Sequence, residues 1–150
     1  MSGNNPLKVR VRRARLSDAG AVAALAGQLG YPTPQKQMVA RLKDALRWKN
    51  GACFVAENGN GGLLGWAHVS VTPLLEVERR AELNGLVVDE NARSVGVGAR
   101  LLAEAEKWAR KMHCTGMSVR SNVLRERAHQ FYLREGYEHY KTQKAFRKPL

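Results

Sequence analysis

Leu86-Val87-Val88-Asp89-Glu90-Asn91-Ala92-Arg93-Ser94-Val95-Gly96-Val97-Gly98-Ala99-Arg100-Leu101-Leu102 reads as a strand, a glycine-bearing turn and the first turns of a helix. Gly96 and Gly98 let the backbone bend sharply, so several peptide N–H groups can aim at one point. Beyond them Leu101, Ala105, Trp108 and Met112 recur at helical spacing. A helix that starts here offers its unpaired N–H groups and the positive end of its dipole. Arg93, at the entrance, adds fixed charge and a planar donor fork suited to phosphate. The stretch therefore predicts an anion cradle, most simply for a pyrophosphate, between a strand and a helix. Glycine pairs also occur in ordinary turns, so the six residues Arg93 to Gly98 taken alone leave an empty loop open. The turn has neither the third glycine of the dinucleotide fingerprint nor the Gly-Lys-Ser/Thr ending of a nucleotide phosphate loop.

Outward from this turn, the chain reads as alternating elements. Residues 7–13 alternate apolar and basic side chains, with Leu7, Val9 and Val11 on one face and Lys8, Arg10 and Arg12 on the other. This basic run is expected to be a solvated strand face. Ser17 is placed to cap a helix carrying Val22, Leu25, Ala26 and Leu29, which Gly30 closes. Thr33-Pro34 opens a second helix with Met38, Leu42, Ala45 and Leu46 on its inner face. Cys53–Ala56 and Leu63–Thr72 flank the turn Asn58 to Gly62 and predict a hairpin. A third strand of the meander covers about 80–89, and Gly85 in its middle marks a bulge or a close approach. Met117–Arg120 predicts a strand, Leu124–Glu135 a helix stopped by Gly136, and Tyr137–Phe146 a final polar strand near an edge. The order β-α-α-β-β-β-α-β-α-β predicts an α/β (α+β) mixed sheet, with a parallel crossover through the helix at 98–112. A single domain spanning 1–150 is expected, with residues 1–6 flexible. An exposed edge on the final strand would let two copies pair as a homodimer.

The 150 residues, 44% hydrophobic and 25% charged, fit a globular domain. No apolar stretch reaches the roughly 18–20 residues that cross a bilayer, and the first residues lack the apolar core of a secretion signal. No membrane partner is expected. Cys53 and Cys114 are far apart and lack metal-ligand spacing, so they read as small buried hydrophobes of a reducing, cytoplasmic compartment, with no metal site. The net charge of +12 suits an anionic partner. The basic residues are spread along the chain, with no basic recognition helix and no paired aromatics of an RNA-binding sheet, which argues against nucleic acid.

The quoted stretch resembles the acyl-CoA-binding motif of the GCN5-related N-acetyltransferase superfamily, Arg/Gln-x-x-Gly-x-Gly/Ala after a strand. Ala128-His129-Gln130-Phe131-Tyr132-Leu133-Arg134-Glu135-Gly136-Tyr137 is similar to the family's Ala-x-x-Phe/Leu-Tyr-x-x-x-Gly-Phe/Tyr segment. The predicted element order matches the family fold over nearly the whole chain. The resemblance implies acetyl-CoA as donor, a primary amine of a small molecule or peptide as acceptor, and direct transfer between them. It implies that Ser94, Val95, Gly96, Val97, Gly98 and Ala99 hold the pyrophosphate with Arg93. If the strand bulges at Gly85 and splays from its neighbour, the free edge at Leu86, Val87 and Val88 can pair with the amide-rich pantetheine arm. A backbone N–H near Val88 would then face the thioester carbonyl.

Tyr132 is the expected general acid toward the leaving thiolate, and Glu82 the candidate base, directly or through water. His68 and His129 are weaker candidates, and His113 and His139 carry no distinctive signal. Where the family often has Asn, three residues before Ala128, this chain has Arg125; either Asn122 supplies the amide or Arg125 meets the cofactor in its own way. Glu76 and Glu78 lie in a loop that would border the acceptor pocket. The acceptor stays open, although a net charge of +12 disfavours a polycation at long range. Two other classes stay open at this level: a CoA-binding sensor without turnover, and a basic nucleic-acid-binding module.

Overall fold

The computed structural model describes residues 8–150. The expectations for residues 1–6 and for Leu7 lie outside the described residues. The chain divides into two compact units, one ending at Arg120 and the other comprising Ser121–Leu150.

The first unit holds a mixed sheet. Its strands are β1 (Arg10–Arg13), β2 (Gly51–Glu57), β3 (Leu63–Val71), β4 (Arg80–Val88) and β5 (Gly116–Val119). They lie side by side in chain order; β1 to β4 are antiparallel neighbours, and β5 joins β4 in parallel. The parallel step is the crossover expected through the helix after Gly98, here α3 (Val97–Lys111). Helices α1 (Ala19–Gln28) and α2 (Gln35–Arg47) connect β1 to β2.

Alternation along β3 sends its side chains to two different cores. Gly65 faces α3, since a Cβ there would lie 3.0 Å from Leu101 Cδ1. Ala67, Val69 and Val71 follow on that face and are buried, as are Leu101, Leu102 and Ala105 of α3. The opposite face carries Trp66, which packs with Cys53, Met38 and Val39 against a cluster of Ala14, Ala19, Val22, Leu42 and Val55. Fully burying a Leu or Val is worth about 1.5–3 kcal/mol, so these two layers hold the sheet between its helices.

Arg12 departs from the expected solvated face. Its guanidinium donates two bonds to Asp18, at 2.8 and 2.9 Å, and one to Glu57 at 2.9 Å. Its side chain is 12% exposed. Asp18 also accepts the Arg15 N–H at 2.7 Å, and the Arg12 guanidinium holds its carboxyl below the usual value of 3.8. Ser17 is not the cap: it lies within a 3-10 turn, Leu16–Asp18, and Asp18 stands at the N-cap of α1 with its carboxylate turned back to the Arg15 N–H. The two oxygens of the carboxylate receive an arginine fork and a backbone N–H at once, which a single hydroxyl oxygen cannot match.

The second unit contains α4 (Glu126–Arg134), closed by Gly136 with a bond from Tyr137 N–H to Tyr132 C=O at 2.9 Å. The expected last strand over Tyr137–Phe146 does not form, and the subunit-pairing edge assigned to it goes with it. Apolar side chains do not alternate in this segment, and Tyr140 and Phe146 are exposed, so no buried face draws it into a ladder.

Arg12→Lys keeps the charge but loses the fork that spans two carboxylates. It is expected to cost about 2 kcal/mol and lower the thermal midpoint by roughly 6 °C. An unchanged midpoint in calorimetry contradicts a structural role for this network.

Candidate active site

The site begins with a mismatch between two strands. His68 pairs with Gly85 and Val69 with Leu83, which leaves Asn84 as an extra residue in β4. The bulge expected at Gly85 is therefore present, one residue earlier. Asn84 Nδ2 donates to Ser70 Oγ at 2.7 Å, pinning the extra residue across β3. Gly85 is required by a close approach: a Cβ would lie 2.7 Å from Trp66 Cζ3 and 2.8 Å from its Cη2. The Trp66 Nε1–H is buried with no acceptor among the described residues.

The ladder between β4 and β5 runs from Arg80 to Leu83 and stops at the bulge. From Gly85 to Val88, β4 stays paired with β3 on one side only. Among the described residues no strand lies along the other side. Leu86, Val87 and Val88 thus lie on a free edge inside the sheet, where peptide groups are open to an amide-bearing chain.

That edge leads into the glycine turn. Asp89 accepts the Asn91 N–H at 2.9 Å and starts a 3-10 turn, Glu90–Ala92. Ser94 and Gly96 both take left-handed conformations, with φ of 67° and 86°. Gly96 is the N-cap of α3, and a Cβ there would meet nothing within 4 Å. The first bond out of α3 runs from Arg100 N–H to Gly96 C=O at 3.1 Å. Val97, Gly98 and Ala99 therefore begin the helix with N–H groups that no preceding turn can satisfy. Arg93, Ser94 and Val95 are exposed beside them. Successive N–H groups in a turn that passes through left-handed residues can line one concavity, which suits an anion.

Glu82 lies two residues before the bulge and opposite Ser118 of β5. The Ser118 hydroxyl donates to Glu82 Oε2, and Arg120 Nε approaches Oε1 at 3.2 Å. The carboxylate is 25% exposed and engaged at both oxygens. Ser118 and Arg120 were not singled out by the sequence; the alternation Ser118-x-Arg120 was the available signal. His68 is half-buried on the same sheet face, and burial lowers its pKa from 6.5.

In the second unit, Tyr132 is half-buried, with edge-on ring contacts to Phe131 at 5.2 Å and Tyr137 at 5.8 Å. Burial pushes its phenol up to about 12, against the opposing charge of Arg125. The hydroxyl is therefore a proton donor at neutral pH. Asn122 Oδ1 accepts the Leu124 N–H at 2.9 Å, and the Asn122 carbonyl meets His129 Nε2 at 2.8 Å. This ties both residues into one turn. Arg125 is the N-cap of α4.

Elsewhere, Glu78 accepts from Thr115 Oγ1 at 3.2 Å, which ties its loop to the start of β5; Glu76 is exposed. Cys53 and Cys114 are free thiols, and burial pushes Cys53 up to about 11. No helix among the described residues is long and apolar enough to cross a membrane, and no three His, Cys, Asp or Glu side chains there could hold a metal ion.

Residues 22–137 match the model of the Acetyltransferase (GNAT) family. An aminoglycoside N(6')-acetyltransferase type 1 of Klebsiella aerogenes is 32% identical over 102 residues, 66% of this chain and 67% of that protein. An aminoalkylphosphonate N-acetyltransferase of Salmonella typhimurium is 41% identical over 66 residues, 43% of each chain. Among solved structures, an aminoglycoside N-acetyltransferase in complex with CoA superposes with a TM-score of 0.87 at 19% identity, over 98% of this chain and 99% of that one.

His68 gives the site a pH signature. Below 6.5 the unfolded chain binds a proton that the folded chain resists, so the folded state is fully stable above that pH and weakens as pH falls through it. The midpoint advantage of the natural protein over His68→Gln is expected to shrink between pH 8 and pH 5. A difference that is the same at both pH values contradicts the burial of a neutral imidazole.

Proposed function

The chain belongs to the GNAT acetyltransferase family and is an N-acetyltransferase that uses acetyl-CoA, and we propose that transfer takes place along the free edge of β4. The observation that carries this reading is the parting of β4 from β5 after Leu83, which leaves Leu86, Val87 and Val88 paired with β3 alone on the way into the α3 turn. The family model runs through both compact units, which supports one catalytic domain.

Acetyl-CoA supplies the acetyl group as a thioester. The outward peptide groups of Leu86 and Val88, on either side of Val87, pair with its pantetheine amides, as one strand pairs with another. The N–H groups of Val95, Gly96, Val97, Gly98 and Ala99, with Ser94 and Arg93, take the pyrophosphate. Asn122 or Arg125 adds a further polar contact. The Val88 N–H faces the carbonyl oxygen, where negative charge grows during attack; such donors are worth about 2.7–4 kcal/mol where they have been removed from other enzymes.

Glu82 receives a proton from the acceptor amine, through water. Its two oxygens are held by Ser118 and Arg120, so the carboxylate is aimed, and a water on its remaining lone pairs relays the proton. The nitrogen–carbon bond forms as the carbon–sulfur bond breaks, and Tyr132 gives its proton to the leaving sulfur. Its phenol, raised to about 12 by burial, is reprotonated readily from solvent between turnovers. The relatives named above take acceptors as different as aminoglycosides and aminoalkylphosphonates, so kinship leaves the acceptor open. A reducing, cytoplasmic setting accords with two free thiols.

Acetyl-CoA at 100 times its Kd is expected to stabilise the protein by about 2.7 kcal/mol, read as a rise in thermal midpoint. Tyr132→Phe is expected to keep that rise and to lower kcat about 10²–10⁴-fold. No rise at millimolar acetyl-CoA contradicts the donor site, and full turnover by Tyr132→Phe removes the phenol from the acid role.

A further inference from the structure

On the sheet face that carries Glu82, the charged neighbours on β4 and after β5 are Arg80 and Arg120; Glu78, before β4, is bonded to Thr115. Arg80 precedes Glu82 by two residues on β4 and therefore shares its face. Arg120 follows Ser118 by two residues and reaches Glu82 Oε1 through Nε alone. The Arg120 side chain is 87% exposed, so its Nη edge points outward as a donor pair of the geometry that grips a carboxylate or phosphonate. Arg80, half-buried, has no ion pair among the described residues. Arg79 is committed elsewhere, donating to the Met112 carbonyl at 2.8 Å. The rest of this row is neutral and polar: Ser118, the Ser70–Asn84 pair, and His68, whose imidazole is held neutral by burial.

We propose that the acceptor is a small primary amine carrying its own anionic group, a carboxylate or phosphonate a few bonds from the nitrogen, with Glu82 receiving the amine and Arg120 and Arg80 receiving the anion. The inference rests on transfer at the β4 edge as described above. A polycation fits this place poorly. It would find Glu82, already shared with Ser118 and Arg120, and Glu78, already bonded to Thr115, beside two guanidiniums on a chain of net charge +12. An anion-bearing amine meets each charge with its opposite. Its anion also competes with Glu82 for Arg120, so binding loosens the Arg120–Glu82 pair and frees Oε1 for the water that relays the amine's proton. The transfer needs no further reactant: nitrogen gains the acetyl carbon and loses one proton, and sulfur loses that carbon and gains one proton.

The test compares 2-aminoethylphosphonate and β-alanine with propylamine and with the polyamine spermidine, each with acetyl-CoA, reading released CoA thiol. The anion-bearing amines are expected to show kcat/KM at least about tenfold above propylamine, with spermidine lowest; tenfold corresponds to about 1.4 kcal/mol. Arg120→Gln is expected to raise KM for the anionic amines about tenfold more than for propylamine. Arg80→Gln is expected to act in the same direction. Adding salt should raise KM for the anionic amines and leave propylamine less affected. Highest kcat/KM with spermidine or propylamine overturns the inference and leaves the transferase reading standing. So does an equal effect of both arginine variants on charged-tail and plain amines. Thiol release with no amine of the panel, while acetyl-CoA still raises the midpoint, overturns it as well; a chain that acetyl-CoA does not stabilise fails at the donor site instead.

Discussion

Asn84 stands in β4 without a counterpart in β3, and its amide holds Ser70 at 2.7 Å across the strands. Everything that gives this sheet its chemistry follows from that extra residue. Before it, β4 runs parallel to β5 and places Glu82 against Ser118. After it, the same strand keeps β3 and loses β5, so the peptide groups of Leu86 and Val88, which alternate with those turned to β3, have no strand beside them among the described residues. An exposed strand edge is normally a hazard that proteins cover or charge. Here it lies inside the sheet and runs straight into the turn that starts α3. Gly85 and Trp66 fix the bend sterically, since no Cβ fits beneath the indole.

The charge of the chain takes on a different meaning once the side chains are placed. Several arginines serve the fold. Arg12 joins Asp18 to Glu57, Arg79 ties the start of β4 to the end of α3, and Arg100 donates to Val9 C=O at 2.6 Å. Each makes charge-assisted bonds to acceptors distant in sequence or on another element. The net +12 is therefore a poor guide to a single binding surface. What matters locally is which cations stay open to solvent near unpaired backbone, and Arg93 and Arg120 are two of these.

Much of the architecture was legible from residues close in sequence. The helix of Leu101, Ala105 and Trp108, the stops at Gly30 and Gly136, and the interruption at Gly85 are local signals, and each has its structural counterpart. The family motif around Arg93 to Gly98 was legible for the same reason: a turn, its helix and its donors lie within a dozen residues. Contacts between distant residues were not. Ser118 and Glu82 are 36 residues apart, and only the parallel register brings them together. The Arg12–Asp18–Glu57 network depends in the same way on the pairing of β1 with β2, so a basic run that alternates like a wet strand face conceals one inward arginine. Tyr137 to Phe146 failed as a strand because strand-like residue types without apolar alternation give a sheet nothing to bury.

The central claim is that a donor lies along the β4 edge and in the α3 turn, and backbone hydrogen exchange measures that directly. With saturating acetyl-CoA, the amides of Leu86 to Val88 and Val95 to Ala99 are expected to slow markedly, while those of β1, at the far edge of the sheet, keep their rates. Protection confined to β1 or to the Asn58–Gly62 turn, with the β4 edge unchanged, would contradict the account.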